Sequence, residues 1–525
     1  MFEIAAIFKD GMVLQQHKRN VVWGTAEPGV VKLNFRGQIY VTAVTDGKWK
    51  IELNETAAGG SYTMELTWQS ADGKEKQTKR IQDILVGEVW LAGGQSNMEL
   101  ALKDSEDGVT TSQGASYTDI RFYNVPKHAV ADDTLRQMEL ESGWQQAVGE
   151  PTGEMSAVAF YYAVKLYETL RVPIGIIDCY WGGTSATCWV DKQALQDVEE
   201  VQSYLQEWQD VYDSKTEEAY AEEMRQYQED YDAWNVRVEK LRQENPDIEW
   251  EEINERAGLC PWPQPRGRKS PFRPFGLYET MISHVAPYGI KGFLYYQGEE
   301  DWERSEYYHK LNSAVIRKWR SDFGEELPFY LVQLPMYRAK NDPDDKNWCI
   351  LRRQQEIAVE ENDNTGMAVI LDCGEFDNIH PIDKKTPGTR LALQALGKTY
   401  QVLEDYEPMR LEHVSIEKEH EIWLNFTDTY GAICYRKSDG RQLTAQNEKE
   451  QYPVKESECS DIYGLEVSED GTCFYPATIR AVEPNRMRVS GRGILTAVRY
   501  GWTNYGVANL YNAVGLPLAP FTAEV

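Results

Sequence analysis

Two short segments of the chain hold residues whose types and spacing allow nucleophilic acyl chemistry. In Gly93-Gly94-Gln95-Ser96-Asn97-Met98, a serine follows paired glycines directly after the apolar run Val89-Trp90-Leu91-Ala92. A serine on a sharp strand-to-helix turn exposes its hydroxyl and its backbone N–H together, which attack on a carbonyl requires. The same position equally suits a helix N-cap. In Asp377-Asn378-Ile379-His380-Pro381, an Asp stands three residues before a His. Such a carboxylate can accept from one imidazole nitrogen while the other nitrogen faces a serine, the arrangement of general-base activation. Of the seven histidines, His17, His128, His284, His309, His413 and His420 lack comparable surroundings. Asp372, Glu375 and Asp383 are the neighbouring carboxylates able to replace Asp377 in that role.

Two further loops could stabilise a developing negative charge. The paired glycines of Trp181-Gly182-Gly183-Thr184-Ser185 let backbone approach a ligand and present an N–H, from Gly183 or from Gly182. A plain tight turn explains them as well. In Tyr295-Tyr296-Gln297-Gly298-Glu299-Glu300, the Gln297 amide could donate to an oxyanion, although a Gln satisfying loop backbone is the ordinary role. No His/Asp/Glu cluster has a metal-ligand spacing, so neither metal nor cofactor is expected.

These loops need a frame that brings them to one edge. The apolar runs Ile84 to Ala92, Val172 to Tyr180, Ile290 to Tyr296, Pro328 to Leu334 and Met367 to Leu371 alternate with helical patterns. Strands apolar on both faces belong to a parallel sheet covered by helices, and sites in such sheets lie beyond the carboxyl ends of the strands. An α/β fold with a three-layer catalytic domain over residues 84–405 is expected, interrupted by an acidic helical insertion at about 192–258. Residues 1–83 alternate in short runs with Gly turns, and read as an N-terminal β-sandwich. Residues 406–525 return to that pattern as a C-terminal β segment, either independent or packed with the N-terminal domain.

The length of 525 residues calls for more than one core. A net charge of −29 disfavours nucleic acid and anionic membrane as partners, and no run is long enough for a membrane span. The Glu/Asp/Gln-rich insertion reads as a solvated helix pair. Cysteines at 179, 188, 260, 349, 373, 434, 459 and 473 form no Cys-x-x-Cys pair and read as ordinary thiols. With no apolar signal region at the N-terminus, a cytoplasmic location is the simplest expectation; a removed signal peptide would leave the same sequence.

The four loops occur in one order along one domain, and here the chain resembles the SGNH hydrolase superfamily. Within it, the chain is similar to the sialate O-acetylesterase group and its plant-polysaccharide acetylesterase relatives. The matching pieces include Asp10-Gly11-Met12-Val13-Leu14-Gln15, Gly94-Gln95-Ser96-Asn97-Met98, Trp181-Gly182-Gly183-Thr184, Tyr296-Gln297-Gly298-Glu299, Leu351-Arg352 with Gln355, and Asp377 to Pro381. Asn509-Leu510-Tyr511-Asn512 extends the resemblance to the C-terminal segment. It implies Ser96 as nucleophile, His380 as base, Asp377 as its orienting acid, and an oxyanion hole of Ser96, Gly183 and Gln297. Gln297 stands where the superfamily usually has Asn, and Glu300 where the nearer relatives commonly have Ser.

The implied substrate is an acetylated carbohydrate, sialic acid or plant polysaccharide. Trp181, Tyr296, Glu299, Trp302 and Arg352 are the expected contacts, and Arg390 could join Arg352 in a basic pocket. The competing readings are a non-catalytic carbohydrate-binding protein and a lipid esterase or thioesterase of the same superfamily. Oligomeric state has no signal in the sequence.

Overall fold

The computed structural model describes residues 2–245, 248–324, 326–438, 451–454 and 461–525. Cys459 lies outside the described residues; the other seven cysteines are free thiols. At the centre, among the described residues, is an eleven-stranded sheet whose main path has seven strands: β1 (Lys76–Gly94), β2 (Ser116–Asn124), β3 (Trp144–Val148), β4 (Ile174–Tyr180), β5 (Gly292–Tyr296), β6 (Phe329–Val332) and β7 (Thr365–Ala368). Their spatial order is β3-β2-β4-β1-β5-β6-β7. All neighbours are parallel except the edge strand β3, which runs antiparallel to β2.

Both faces of this sheet are covered. Trp90 packs edge-on against Tyr162 of helix α2 (Ala157–Leu170), whereas a side chain on Gly93 would strike Trp319 of helix α3 (Tyr308–Phe323). Residues 90 and 93 point to opposite faces of a strand, so α2 and α3 lie on opposite sides. Helix α4 (Asn347–Glu361) packs with α3, and α5 (Lys385–Gln394) with α2. Burial on both faces explains why residues 84–94 are almost all apolar.

The expected boundary at residue 83 falls inside a single strand. Residues 76–81 of β1 pair antiparallel with residues 64–69 of the N-terminal sheet, and Ile84 and Val86 still face Tyr62 and Gly59, while its second half becomes the middle of the parallel sheet. Asp83 sits at the change with φ +55°, beside a register shift in the facing strand. The N-terminal strands and the parallel sheet thus share one continuous core, including Leu33, Trp68, Val86 and Trp90.

Among its described residues the C-terminal segment builds two four-stranded sheets and one three-stranded sheet. Among the described residues its core is separate and joins Met336, Met367, Val369 and Leu371 at the β7 edge, with no residue from 1–83 in it. The insertion forms helices at Gln202–Ser214, Glu217–Glu244 and Trp250–Ala257. A small core of Trp234, Val238, Leu241, Ile253 and Ala257 closes the last two on each other.

Candidate active site

Register places the loops. Gly94 of β1 stands opposite Tyr180 of β4 and Tyr296 of β5, so three loops leave the sheet from one row. Gly94 allows it: at φ +134°, a Cβ there would lie 2.1 Å from the Tyr296 carbonyl. Ser96 opens a four-residue helix, α1 (Ser96–Glu99), whose N-cap is Gln95. Ser96 therefore does not cap. Its Oγ lies 2.7 Å from His380 Nε2, on the loop between β7 and α5. Burial, and then the Lys384 ammonium, push the His380 imidazole down to about 4, so the ring is neutral at ordinary pH and can accept a proton.

The expected acid is elsewhere. Asp377 directs Oδ1 to the backbone N–H of Lys340 at 2.9 Å and Oδ2 to the Asn254 amide at 3.2 Å. No hydrogen bond joins it to His380, and His380 Nδ1 has no partner among the described residues. Asp377 adopts φ +54°, which turns its side chain toward the Lys340 segment and the insertion. The alternatives are also engaged. Asp372 is paired with Arg390 and Arg436, Glu375 accepts from Asn378 and the Ile382 N–H, and Asp383 accepts from Thr386.

Two N–H groups are open to an oxyanion. Neither Ser96 N–H nor Gly183 N–H has a hydrogen-bond partner among the described residues. Gly182 N–H instead donates to the Glu99 carboxylate, which also holds Lys127. Gly183, at φ +69°, lies directly under the indole of Trp262, whose ring would be 2.2 Å from a Cβ at 183.

Gln297 does not complete the hole. Its amide nitrogen donates to Asp301 at 2.7 Å, Thr184 O at 3.1 Å and Gln95 Oε1 at 3.2 Å, while its amide oxygen accepts from Tyr308. Every donor is spent and the side chain is buried, so Gln297 ties the three loops together. Asp301 supports it, accepting also from Ser185, Ala186 N–H and Arg304.

Three expected sugar contacts are corrected by burial. Tyr296 exposes none of its surface. Arg352 is equally inaccessible and donates to the carbonyls of Pro335, Gly501 and Thr503, clamping α4 to the C-terminal segment. Arg390 is committed to Asp372. Glu299 lies beneath Asn97 and accepts from its amide; burial raises its carboxyl above the usual range. Trp302 is 44% exposed and Trp181 half-buried.

Known proteins carry the same frame. The family described as carbohydrate esterase, sialic acid-specific acetylesterase, matches residues 268–395, which hold Gln297 and His380. Sialate O-acetylesterases of Pongo abelii and Homo sapiens are 26% and 25% identical, each covering 100% of this chain and 93% of its own length. Those full-length matches include the Ser96 segment. A carbohydrate acetylesterase from Xanthomonas citri, known by crystal structure, superposes with a TM-score of 0.74 at 26% identity, over 100% of this chain and 99% of its own. Over its full length the chain is similar to sialate O-acetylesterases and to a carbohydrate acetylesterase.

The sialate O-acetylesterase-like motifs account for Ser96, Gly183 and His380, but not for Trp262, Asp301 or Lys384. Trp262 comes from the return of the insertion, 47% exposed and edge-on to Phe272 at 5.1 Å. Its only signal in the sequence is an aromatic between prolines in Cys260-Pro261-Trp262-Pro263. Lys384 is 1% exposed with its ammonium 2.6 Å from Asn97 Oδ1, and burial pushes it down to about 8. Among the described residues no group of three metal-binding side chains occurs, and no helix is long and apolar enough to cross a membrane.

Proposed function

We propose that the protein is a serine carbohydrate O-acetylesterase in which Ser96 and His380 are the reacting pair. The 2.7 Å contact between Ser96 Oγ and a neutral His380 Nε2 carries this reading. His380 Nε2 takes the Ser96 proton as Oγ attacks the acetyl carbonyl, and the oxyanion accepts from the N–H groups of Ser96 and Gly183. The imidazolium then protonates the departing sugar oxygen, leaving an acetyl ester on Ser96. A water activated by the same nitrogen attacks that ester and releases acetate.

The three-layer αβα arrangement of the SGNH hydrolases, with β-sandwiches on either side, is the fold reading that goes with this chemistry. It is supported by the parallel strand order and by helices on opposite faces of β1. The substrate is an acetylated sugar, sialic acid or plant polysaccharide, approached by Trp181, Trp262 and Trp302.

The test is acetate release from acetylated xylan and from O-acetylated sialic acid, with Ser96→Ala beside the parent. Loss of about 10⁴-fold or more in kcat in a folded Ser96→Ala protein is expected. Turnover near that of the parent overturns the reading.

A further inference from the structure

Asn97 follows the nucleophile and exposes none of its surface. Its amide nitrogen donates at 2.9 Å to the carbonyl of Ile379, the residue before His380, and also to Glu299. Its amide oxygen accepts from the Lys384 ammonium at 2.6 Å. One side chain thus spans from the residue after the nucleophile to the residue before the base.

The amide has one orientation. An ammonium only donates and a carbonyl only accepts, so the oxygen must face Lys384 and the nitrogen Ile379 O. A flipped amide would set nitrogen against nitrogen and oxygen against oxygen. Lys384 is itself held, with its ammonium 5.6 Å from the Tyr296 ring centre and the carboxyls of Glu299, Glu375 and Asp383 and the Cys373 thiol facing it. Burying an ammonium beside a carboxyl costs free energy that an apolar pair would not. At this position the cost accompanies a geometry that the reaction needs.

We infer that Asn97, locked by Lys384 and Glu299, is a positioning residue that holds Ser96 and His380 at hydrogen-bond distance. The inference rests on the reading of those two as the reacting pair. Lys384 has a second effect: its positive charge disfavours the His380 imidazolium.

The experiment uses the full chain with p-nitrophenyl acetate across pH, thermal melting, and the rate of Ser96 labelling by a fluorophosphonate. Asn97→Ala is expected to lower kcat and the labelling rate together by about 10- to 10²-fold with KM within about twofold, as a misplaced pair would. Asn97→Asp keeps the shape but cannot donate to Ile379 O, and is expected not to rescue. Lys384→Met is expected to move the acid limb of kcat/KM upward, while Lys384→Arg leaves it in place. Should Lys384→Met fail to fold, Lys384→Gln, which keeps a donor and loses the charge, carries the same comparison.

Asn97→Ala with kcat within twofold of the parent overturns the inference. So does an acid limb unmoved by loss of the Lys384 charge with kcat falling only as far as the folded fraction. Failure of the underlying reading looks different: the parent itself would not be labelled at Ser96.

Discussion

Asp377 accepts the backbone N–H of Lys340 at 2.9 Å, which ties the loop carrying His380 to the segment after β6. Lys340 in turn reaches Glu251 at 2.8 Å, and Asn254 reaches Asp377 at 3.2 Å, so the insertion docks through the same point. The carboxylate therefore has a supporting role in place. Asp377→Asn retains one acceptor for Lys340 N–H and is expected to cost less than about threefold in kcat while lowering the melting temperature by a few degrees. A loss of 10²-fold or more, with melting unchanged, would mean that Asp377 turns to His380 Nδ1 during turnover.

The pH profile follows from His380. With His380 as the proposed base, the active form is the neutral imidazole, and burial together with the Lys384 cation lowers its pKa from the ordinary 6.5 to about 4. A lowered pKa keeps the base neutral further into acid, so kcat/KM is expected to hold between pH 7 and 5 and to fall only as pH approaches about 4. Steady-state kinetics on p-nitrophenyl acetate over that range measure it. A limb near 6.5 would show that an acid joins Nδ1 in the working enzyme.

What was legible in the sequence followed from local pattern. Apolar runs such as Val89 to Ala92 marked the strands, because burial on both faces leaves no room for polar residues. Gly94 and Ser96 marked the sharp turn by their types. What was hidden depends on packing between distant segments: whether Gln297 points into the cleft is decided by Asp301, Thr184 and Tyr308 around it, not by its neighbours in the chain. The three-residue spacing of Asp377 and His380 permits a contact, but the φ of +54° at Asp377 and its bond to Lys340 direct the carboxylate away. The boundary at residue 83 failed because one strand serves two sheets, with its composition changing midway.

Gln297 separates a donor from a keystone. Gln297→Ala would leave Asp301 its bonds from Ser185, Ala186 N–H and Arg304 and the Tyr308 hydroxyl its bond to Gln297 O, but would strip the buried Thr184 O of its amide donor, at about 1–3 kcal/mol before relaxation and the cavity left behind. A drop of several degrees in melting temperature is therefore expected along with the loss of kcat. Gln297→Glu removes the donors at nearly constant shape and sets a carboxyl against Asp301, so it should be at least as unstable. A Gln297→Ala protein that melts like the parent yet loses 10²-fold in kcat would restore the oxyanion role.

The last prediction concerns Trp262, whose indole occupies the space that only a glycine at 183 leaves open. Gly183→Ala should lose activity for two reasons: a Cβ 2.2 Å from the indole, and a φ of +69° that alanine resists. Removing the ring relieves only the first, so the Gly183→Ala/Trp262→Ala double variant should recover part of the lost activity but not all of it. Trp262→Ala alone leaves the Ser96 and Gly183 N–H groups in place and removes a half-exposed aromatic face beside them. Sugars stack on such faces, and losing one should raise KM for an acetylated oligosaccharide by about 5- to 10-fold, roughly 1 kcal/mol of contact, with p-nitrophenyl acetate turnover changed less than about twofold. If both substrates lose kcat equally, the indole shapes the oxyanion loop instead of contacting sugar. If neither changes, the wall of the cleft lies at Trp181 and Trp302, and the insertion that carries Trp262 serves only to brace the His380 loop through Asn254 and Lys340.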